Sequence, residues 1–255
     1  HSRQRQKLTA LHSLRFPGVG QAFDFRWPPP VAQVTPVMVG CALSSLFRMV
    51  MSQQRWSEAC ERNRDPILAV LRHHLQDRHG VLEIGSGTGQ HAEYFAAQLP
   101  HLQWQASDHP DYLPGIAERL AEAGLPNAPA PWPLQAVLAP VPGLAPVPEA
   151  PLGFDAVFSA NTLHIMSWPH VQAFFAGLPA MMADDALLCV YGPFNYNGNY
   201  SSDSNLQFDG WLKARDPESG IRDAEAVDAL AAAQGLQLVD DVAMPANNRL
   251  RIWRR

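Results

Sequence analysis

From residue 67 onward the spacing of apolar positions changes repeatedly along the chain. Ile67-Leu68, Val70-Leu71 and Leu75 recur every three to four residues, the spacing of one helix face, and Gly80 ends that segment. Val81-Leu82-Glu83-Ile84 is a short apolar run with glycine on either side, which predicts a strand. Residues 90–99 have helical composition and stop at Pro100. Leu102-Gln103-Trp104-Gln105-Ala106 then alternates with period two and ends at Ser107-Asp108. A helix is predicted over 114–123 with Gly124 closing it, a strand over 154–159, a helix over 171–178 and a buried strand over 186–191. Asp223 predicts an N-cap for a helix through Ala233 that Gly235 stops, and short strands over 237–243 and 249–253 can pair antiparallel. Residues 126–151, rich in proline and alanine, have no period and read as a loop or a distorted strand crossing. Alternating strands and helices predict an α/β fold: a doubly wound sheet, mostly parallel, with a C-terminal antiparallel hairpin. Its binding crevice belongs at the carboxyl ends of the strands.

The first fifty residues do not fit that alternation. They carry Arg3, Arg5, Lys7, Arg15 and Arg26 against one acid, Asp24, and pass through Pro28-Pro29-Pro30. We therefore expect 1–50 to be a non-domain extension, with Met51 opening the folded part and 51–255 as the domain. Residues 31–47 hold no charge, but the stretch is shorter than the ~20 residues a spanning helix needs, contains Pro36 and ends at Arg48. Neither a membrane anchor nor an export signal is expected. The net charge of −5 offers no broad positive field for nucleic acid or an anionic membrane, so a small-molecule partner is expected. Cys41, Cys60 and Cys189 lie far apart without CxxC spacing, which argues against a disulfide framework and a structural zinc site, and a cytoplasmic setting is expected.

The chemistry concentrates in Glu83-Ile84-Gly85-Ser86-Gly87-Thr88-Gly89, placed between a predicted strand and a predicted helix. Three glycines there allow a sharp turn and a close approach of backbone to a nucleotide-like ligand. A dinucleotide fingerprint needs G-x-G-x-x-G, and Gln90 occupies the place of the third glycine, which argues against a nicotinamide oxidoreductase. Glu83 resembles the acid that opens this motif in class I methyltransferases, where it lies near the amino group of S-adenosylmethionine (SAM); a carboxylate there would repel a pyrophosphate. Asp108 ends the next strand about twenty residues beyond Gly85, the offset at which an acid meets ribose hydroxyls.

The likeness extends over residues 55–255. Residues 61–67 (ERNRDPI), 82–91, 159–168 (SANTLHIMSW), 191–195 (YGPFN), Phe208-Asp209, 220–223 (GIRD) and 244–248 (MPANN) together resemble the methyltransferase-like protein 26 family, generally catalogued as a domain of unknown function. That resemblance implies a Rossmann-like class I methyltransferase sheet and SAM as cofactor, and it names no substrate. One departure stands out: Gln135-Ala136-Val137 replaces the family's common Leu-Asp-Val, so the acid expected near the adenine amino group is missing at Ala136.

Expected cofactor contacts are Glu83, Gly85, Ser86, Gly87, Thr88, Gly89, Asp108 and Asn161, with Arg62 and Asn63 ahead of the first helix available for the methionine carboxylate. Arg62 and Arg64 read equally as solvated partners of Glu61 or Asp65. Candidate catalytic or acceptor-lining groups are His164, after the strand over 154–159, and Tyr191 and Asn195, which flank Gly192-Pro193 at the mouth of the next strand. His164 reads equally as a partly buried histidine bonded to a carbonyl, and Tyr191 as a packed aromatic with its hydroxyl in water. Asn247 and Asn248 suit a hairpin turn. Residues 195–209 read as a polar loop over the cleft. None of the ten histidines has metal-site spacing, so no metal is expected. Methyl transfer to a small molecule is the leading reading; a SAM-binding sensor or partner subunit without activity is the alternative.

Overall fold

The computed structural model describes residues 56–146 and 153–255. The expected extension over 1–50 and the start at Met51 lie outside the described residues. A helix opens the described part, α1 (Glu58–His74), capped by the Ser57 side chain, which accepts from Cys60 N. It runs through Pro66, so Arg62, Asn63 and Arg64 stand inside the helix and do not precede it. Proline removes one ladder hydrogen bond, and the packing of Ile67, Leu68 and Leu71 outweighs that loss.

Strand β1 (Gly80–Ile84) leads through the glycine loop into α2 (Gln90–Gln98), then β2 (Gln103–Asp108) and α3 (Leu113–Ala123). Three short strands follow in the proline-rich region: β3 (Trp132–Pro133), β4 (Gln135–Val137) and β5 (Gly143–Ala145). Strand β6 (Phe154–Ala160), helix α4 (Trp168–Gly177) and strand β7 (Met182–Gly192) continue the alternation. After β8 (Phe194–Asn195) come α5 (Asp203–Arg215), β9 (Arg222–Asp223), α6 (Ala224–Ala233) and the closing strands β10 (Gln237–Met244) and β11 (Asn248–Arg254).

The main sheet has seven strands in the order β10-β11-β7-β6-β1-β2-β3. β1 pairs in parallel with β2 and β6, β6 with β7, and β2 with β3. The C-terminal hairpin forms as expected, but β11 inserts between β7 and β10, running antiparallel to both. The strand order therefore reverses between β1 and β6, and their carboxyl ends open the crevice where a doubly wound sheet takes its ligand.

Each face of the sheet carries its own core. Val81, Trp104, Phe158 and Ile252 pack with Ile67, Leu71, Phe95, Ile116 and Leu120 from α1, α2 and α3. Leu82, Val157, Leu188 and Trp253 pack with Val171, Phe174, Phe175, Val227 and Ala231 from α4 and α6. Adjacent residues of one strand thus enter opposite cores, which is why the buried strands read as unbroken apolar runs.

β4 and β5 form a separate antiparallel ribbon that packs on α4. A Cβ at Gly177 would lie 2.3 Å from Leu144 N and 2.6 Å from Leu144 Cγ. Gly177→Ala is expected to lower the unfolding free energy by about 1–3 kcal/mol, the cost of overpacking a filled core. Gly210→Ala in α5, where no atom lies within 4 Å of the new methyl, should instead gain about 0.5–1 kcal/mol. Urea unfolding of the two variants measures the contrast.

Candidate functional site

The glycine loop is built by two strands together. Gly85 N and Ser86 N both donate to Ser107 O, Ser107 N donates to Ser86 Oγ, and Gly89 N closes the turn on Ser86 O. The three glycines have left-handed φ values of +80°, +57° and +74°, and their surroundings differ. A side chain at Gly85 would strike Thr162 Cγ2 at 2.4 Å, because the loop after β6 is pressed against it. One at Gly89 would crowd Ile116 and Arg119 of α3. At Gly87 no protein atom lies within 4 Å, so the crevice is open there.

Asp108 closes the far side. Its two carboxylate oxygens accept from Gly87 N and His109 N, each at 2.6 Å. The residue is buried, and that burial holds its carboxyl above the usual range. We expected an acid at the end of a strand; it is not solvated there, because the loop folds over it. Two lone-pair directions stay unused, since an ionised carboxylate offers about four.

Glu83 is 1% exposed and accepts from Trp104 Nε1 at 2.7 Å. Burial pushes its carboxyl up to about 8, the Trp104 hydrogen bond pulls it back, and Asp108 adds repulsion. At neutral pH the group is therefore mostly protonated, and a cation placed beside it would favour its ionised form.

Asn161 opens the loop after β6 with φ 59°, a conformation asparagine tolerates, and its N–H donates to Tyr191 O. Arg62 is exposed and paired with Glu58 at 3.3 Å; Arg64 pairs with Glu61. Arg64 thus pairs with one of the two acids expected, half-buried, whereas the partner of Arg62 is Glu58, which the sequence reading did not name. Asn63 by contrast is buried, and its Oδ1 lies 2.7 Å from His91 Nε2.

His164 is buried against Phe208, with its pKa lowered to about 4 by burial and by Arg222. The carbonyl bond it makes is through its own backbone, which accepts from Gly220 N. Tyr191 is buried rather than open to water, and burial pushes its phenol up to about 12. Asn195 is buried with no hydrogen-bond partner for Oδ1. The polar stretch over 195–209 is a loop only to Ser202, whose side chain caps α5 by accepting from Asn205 N. Asp209, reckoned part of that loop, is buried in α5 and binds Tyr200, Lys213 and Ile221 N. Among the described residues no group of three or more His, Cys, Asp or Glu is arranged to hold a metal, and no helix is long and apolar enough to cross a membrane.

A family model described as a protein of unknown function, DUF938, matches residues 54–255. The chain belongs to this family. Solved structures share its fold. The SAM-dependent methyltransferase SibL in its apo form is 20% identical, with a TM-score of 0.62, over 84% of this chain and 59% of that one. The mitomycin 7-O-methyltransferase MmcR is 19% identical, with a TM-score of 0.58, over 71% of this chain and 50% of that one. An O-methyltransferase family protein from Burkholderia thailandensis is 12% identical, with a TM-score of 0.61, over 75% of this chain and 55% of that one. The DUF938 chain thus spans between half and three fifths of the length of these methyltransferases.

Sequence reading passed over His91, the second residue of α2. It is stacked on Phe95, set edge-on to Phe158, and lowered to about 4 by burial and Arg64. Its place directly after Gln90 in the motif was the available signal, but helical composition assigned it to scaffold. His91 and His164 must both charge on unfolding in acid, so their contribution is present above their unfolded pKa near 6.5 and lost as pH falls through about 4. Glu83 has the opposite sign: its contribution is present below about 4.5 and lost as pH rises through about 8. The protein without ligand should therefore be most stable near pH 6.5, falling on the acid side by on the order of 1 kcal/mol per pH unit, because Glu83 offsets one of the two histidines there. Urea midpoints from pH 4.5 to 8.5 test this; a midpoint that climbs steadily to pH 8.5 would contradict it.

Proposed function

We propose that residues 51–255 form a SAM-dependent methyltransferase domain acting on a small molecule. The observation that carries this reading is the open face of Gly87 beside the buried Asp108 carboxylate, at the point where the strand order reverses. The fold shared with SAM-dependent methyltransferases and the motif likeness to the methyltransferase-like protein 26 family support it.

The residues fit the cofactor. Asp108 keeps lone pairs for ribose hydroxyls, Glu83 suits the methionine ammonium, and residues 85–89 with Asn161 line the floor. Asn63 and Arg62 approach from α1, Arg62 at the cost of its pair with Glu58. Ala136 is partly buried at the start of the β4–β5 ribbon, so the adenine amino group is met without an acid from that position. Bound SAM supplies an activated methyl on a sulfonium, and the chain's task is to orient an acceptor in line and to exclude water. His164 and Tyr191 suit binding better than proton removal: a histidine held near 4 is a weak base, and a phenol held near 12 stays protonated.

The test is methyl transfer. The protein is incubated with methyl-labelled SAM and a small-molecule extract, and label is followed into low-mass products. SAM should also raise the melting temperature. Absence of any melting shift at millimolar SAM would remove the reading.

A further inference from the structure

Just beyond the carboxyl end of β7, β8 and β9 form a short parallel pair in which Phe194 lies beside Arg222 and Asn195 beside Asp223. Phe194 and Tyr196 pack into the second core, so Asn195, between them, turns away from it. Partners in a parallel ladder point the same way and their strands lie about 4.8 Å apart, which stands the Asn195 and Asp223 side chains together on one face. Asn195 is 8% exposed, and its Oδ1 and Asp223 Oδ1 are both buried without a hydrogen-bond partner. Asp223 is the N-cap of α6, where an aspartate ordinarily accepts from the first turn, yet its side chain makes no such bond. The neighbouring cations are engaged elsewhere. Arg222 donates to the carbonyls of Leu163, Met166 and Glu218, and Arg251 to Ala224 O and Asp228. Glu225, which accepts from Asn197 N, adds a second negative charge nearby.

Buried oxygens without a donor are rare, because each has given up its bond to water. Two at one register position, one of them on a carboxylate, suit a single donor that carries positive charge. A nitrogen about 2.8 Å from each oxygen can bridge them. A hard metal ion would instead draw on about six oxygens, and no group of three or more His, Cys, Asp or Glu is gathered among the described residues. We propose that Asn195 and Asp223 form a binding site for a protonated amine, the anchoring group of the methyl acceptor. Its assignment to the acceptor rests on the methyltransferase reading above; the ammonium site itself does not. Tyr191 O accepts from the N–H of Asn161, at the edge of the cofactor floor, and Asn195 lies beyond Tyr191 by extended chain of roughly 13 Å. That is the length of a small molecule, so the anchored amine is remote from the methyl group. A bound ammonium also has no lone pair with which to attack a sulfonium. The acceptor is therefore a compound of two functions, an amine held at Asn195 and Asp223 and a separate nucleophile that takes the methyl group. Asp223 is partly exposed, which leaves the pair reachable from its side.

The experiment labels asparagine side chains with 15N in the full chain and titrates it, without SAM, with propylammonium chloride. Propanol and propionate at the same ionic strength are the neutral and anionic counterparts. The Asn195 carboxamide signal, identified by its loss in Asn195→Leu, should shift saturably with propylammonium and with neither counterpart. A Kd on the order of 10 mM is expected for so small a ligand. Asp223→Asn, which keeps an N-cap residue, should weaken propylammonium by about tenfold or more, the weight of a charge-assisted hydrogen bond. In the methyl-transfer assay, the labelled products from the extract should be retained on a cation exchanger at neutral pH. No saturable shift by about 100 mM propylammonium would mean that water alone meets these oxygens, and it would overturn the site. An equal shift with propanol, or undiminished binding in folded Asp223→Asn, would overturn it as well. If Asp223→Asn does not fold, the wild-type titration decides by itself. Labelled products that pass through the exchanger would overturn the assignment to the acceptor. If no compound is methylated, the methyltransferase reading fails on its own, while the propylammonium titration still decides the site.

Discussion

Gly85→Ala should lower the unfolding free energy by roughly 2–5 kcal/mol, while Gly87→Asn, two residues further on, should fold normally and lose SAM. At Gly85 a methyl group would lie 2.4 Å from Thr162 Cγ2, and φ is +80°. Thr162 cannot step aside: it is stiff at χ1, and its hydroxyl donates to Ser159 Oγ at 2.6 Å, whose own proton is given to Ile84 O. The strain of a left-handed residue, about 1–2 kcal/mol, adds to an overpacking cost of about 1–3 kcal/mol. At Gly87 φ is +57° and no protein atom lies within 4 Å. Asparagine tolerates that backbone and leaves the N–H bond to Asp108 intact, whereas a β-branched side chain would strain it. Urea unfolding and titration calorimetry on both variants give the contrast. Gly87→Asn binding SAM with wild-type affinity would mean that the cofactor lies elsewhere.

Asp108→Ala should cost both stability and affinity. Its carboxylate is the acceptor for Gly87 N and His109 N, and alanine leaves both amides without it. Gly87 is half-buried at the open crevice and His109 is exposed, so water replaces part of each bond and the loss of stability should be about 1 kcal/mol. SAM affinity should fall by a further 1.5–3 kcal/mol or so, the range for hydrogen bonds to a charged group. Asp108→Asn keeps one acceptor oxygen and turns an N–H toward the other amide, so it should fall between. Calorimetry below the melting temperature of the weakest variant separates the two effects. A folded Asp108→Ala with undiminished SAM affinity would take Asp108 out of the site.

The sequence carried the alternation of strand and helix, the glycine loop and the acid after β2, because each leaves a local mark. Period two or 3.6 records which face of an element is buried, and a positive φ between a strand and a helix asks for glycine. The same rules misjudged α1, since Pro66 and the charged run over 61–65 mark a helix boundary locally. They also lost α5, where Asn205 and Asp209 are buried polar residues and no apolar stripe advertises the helix.

What the tertiary structure alone decided is which of the compatible partners meet. An apolar face fits many others about equally, so periodicity could pair β10 with β11 but could not insert β11 beside β7, where Arg249 faces Gly192 and Arg254 faces Leu187. Nothing local distinguishes Gly177, which must be glycine because Leu144 from another sheet lies against it, from Gly210, which has open space around it. The His91–Asn63 bond joins residues 28 positions apart in sequence. A hydrogen bond depends on distance and direction within a few tenths of an ångström. The sequence therefore determined the sheet, its loop and the chemical inventory of the crevice, while the packing of α1 and α2 on the sheet determined which of those groups touch.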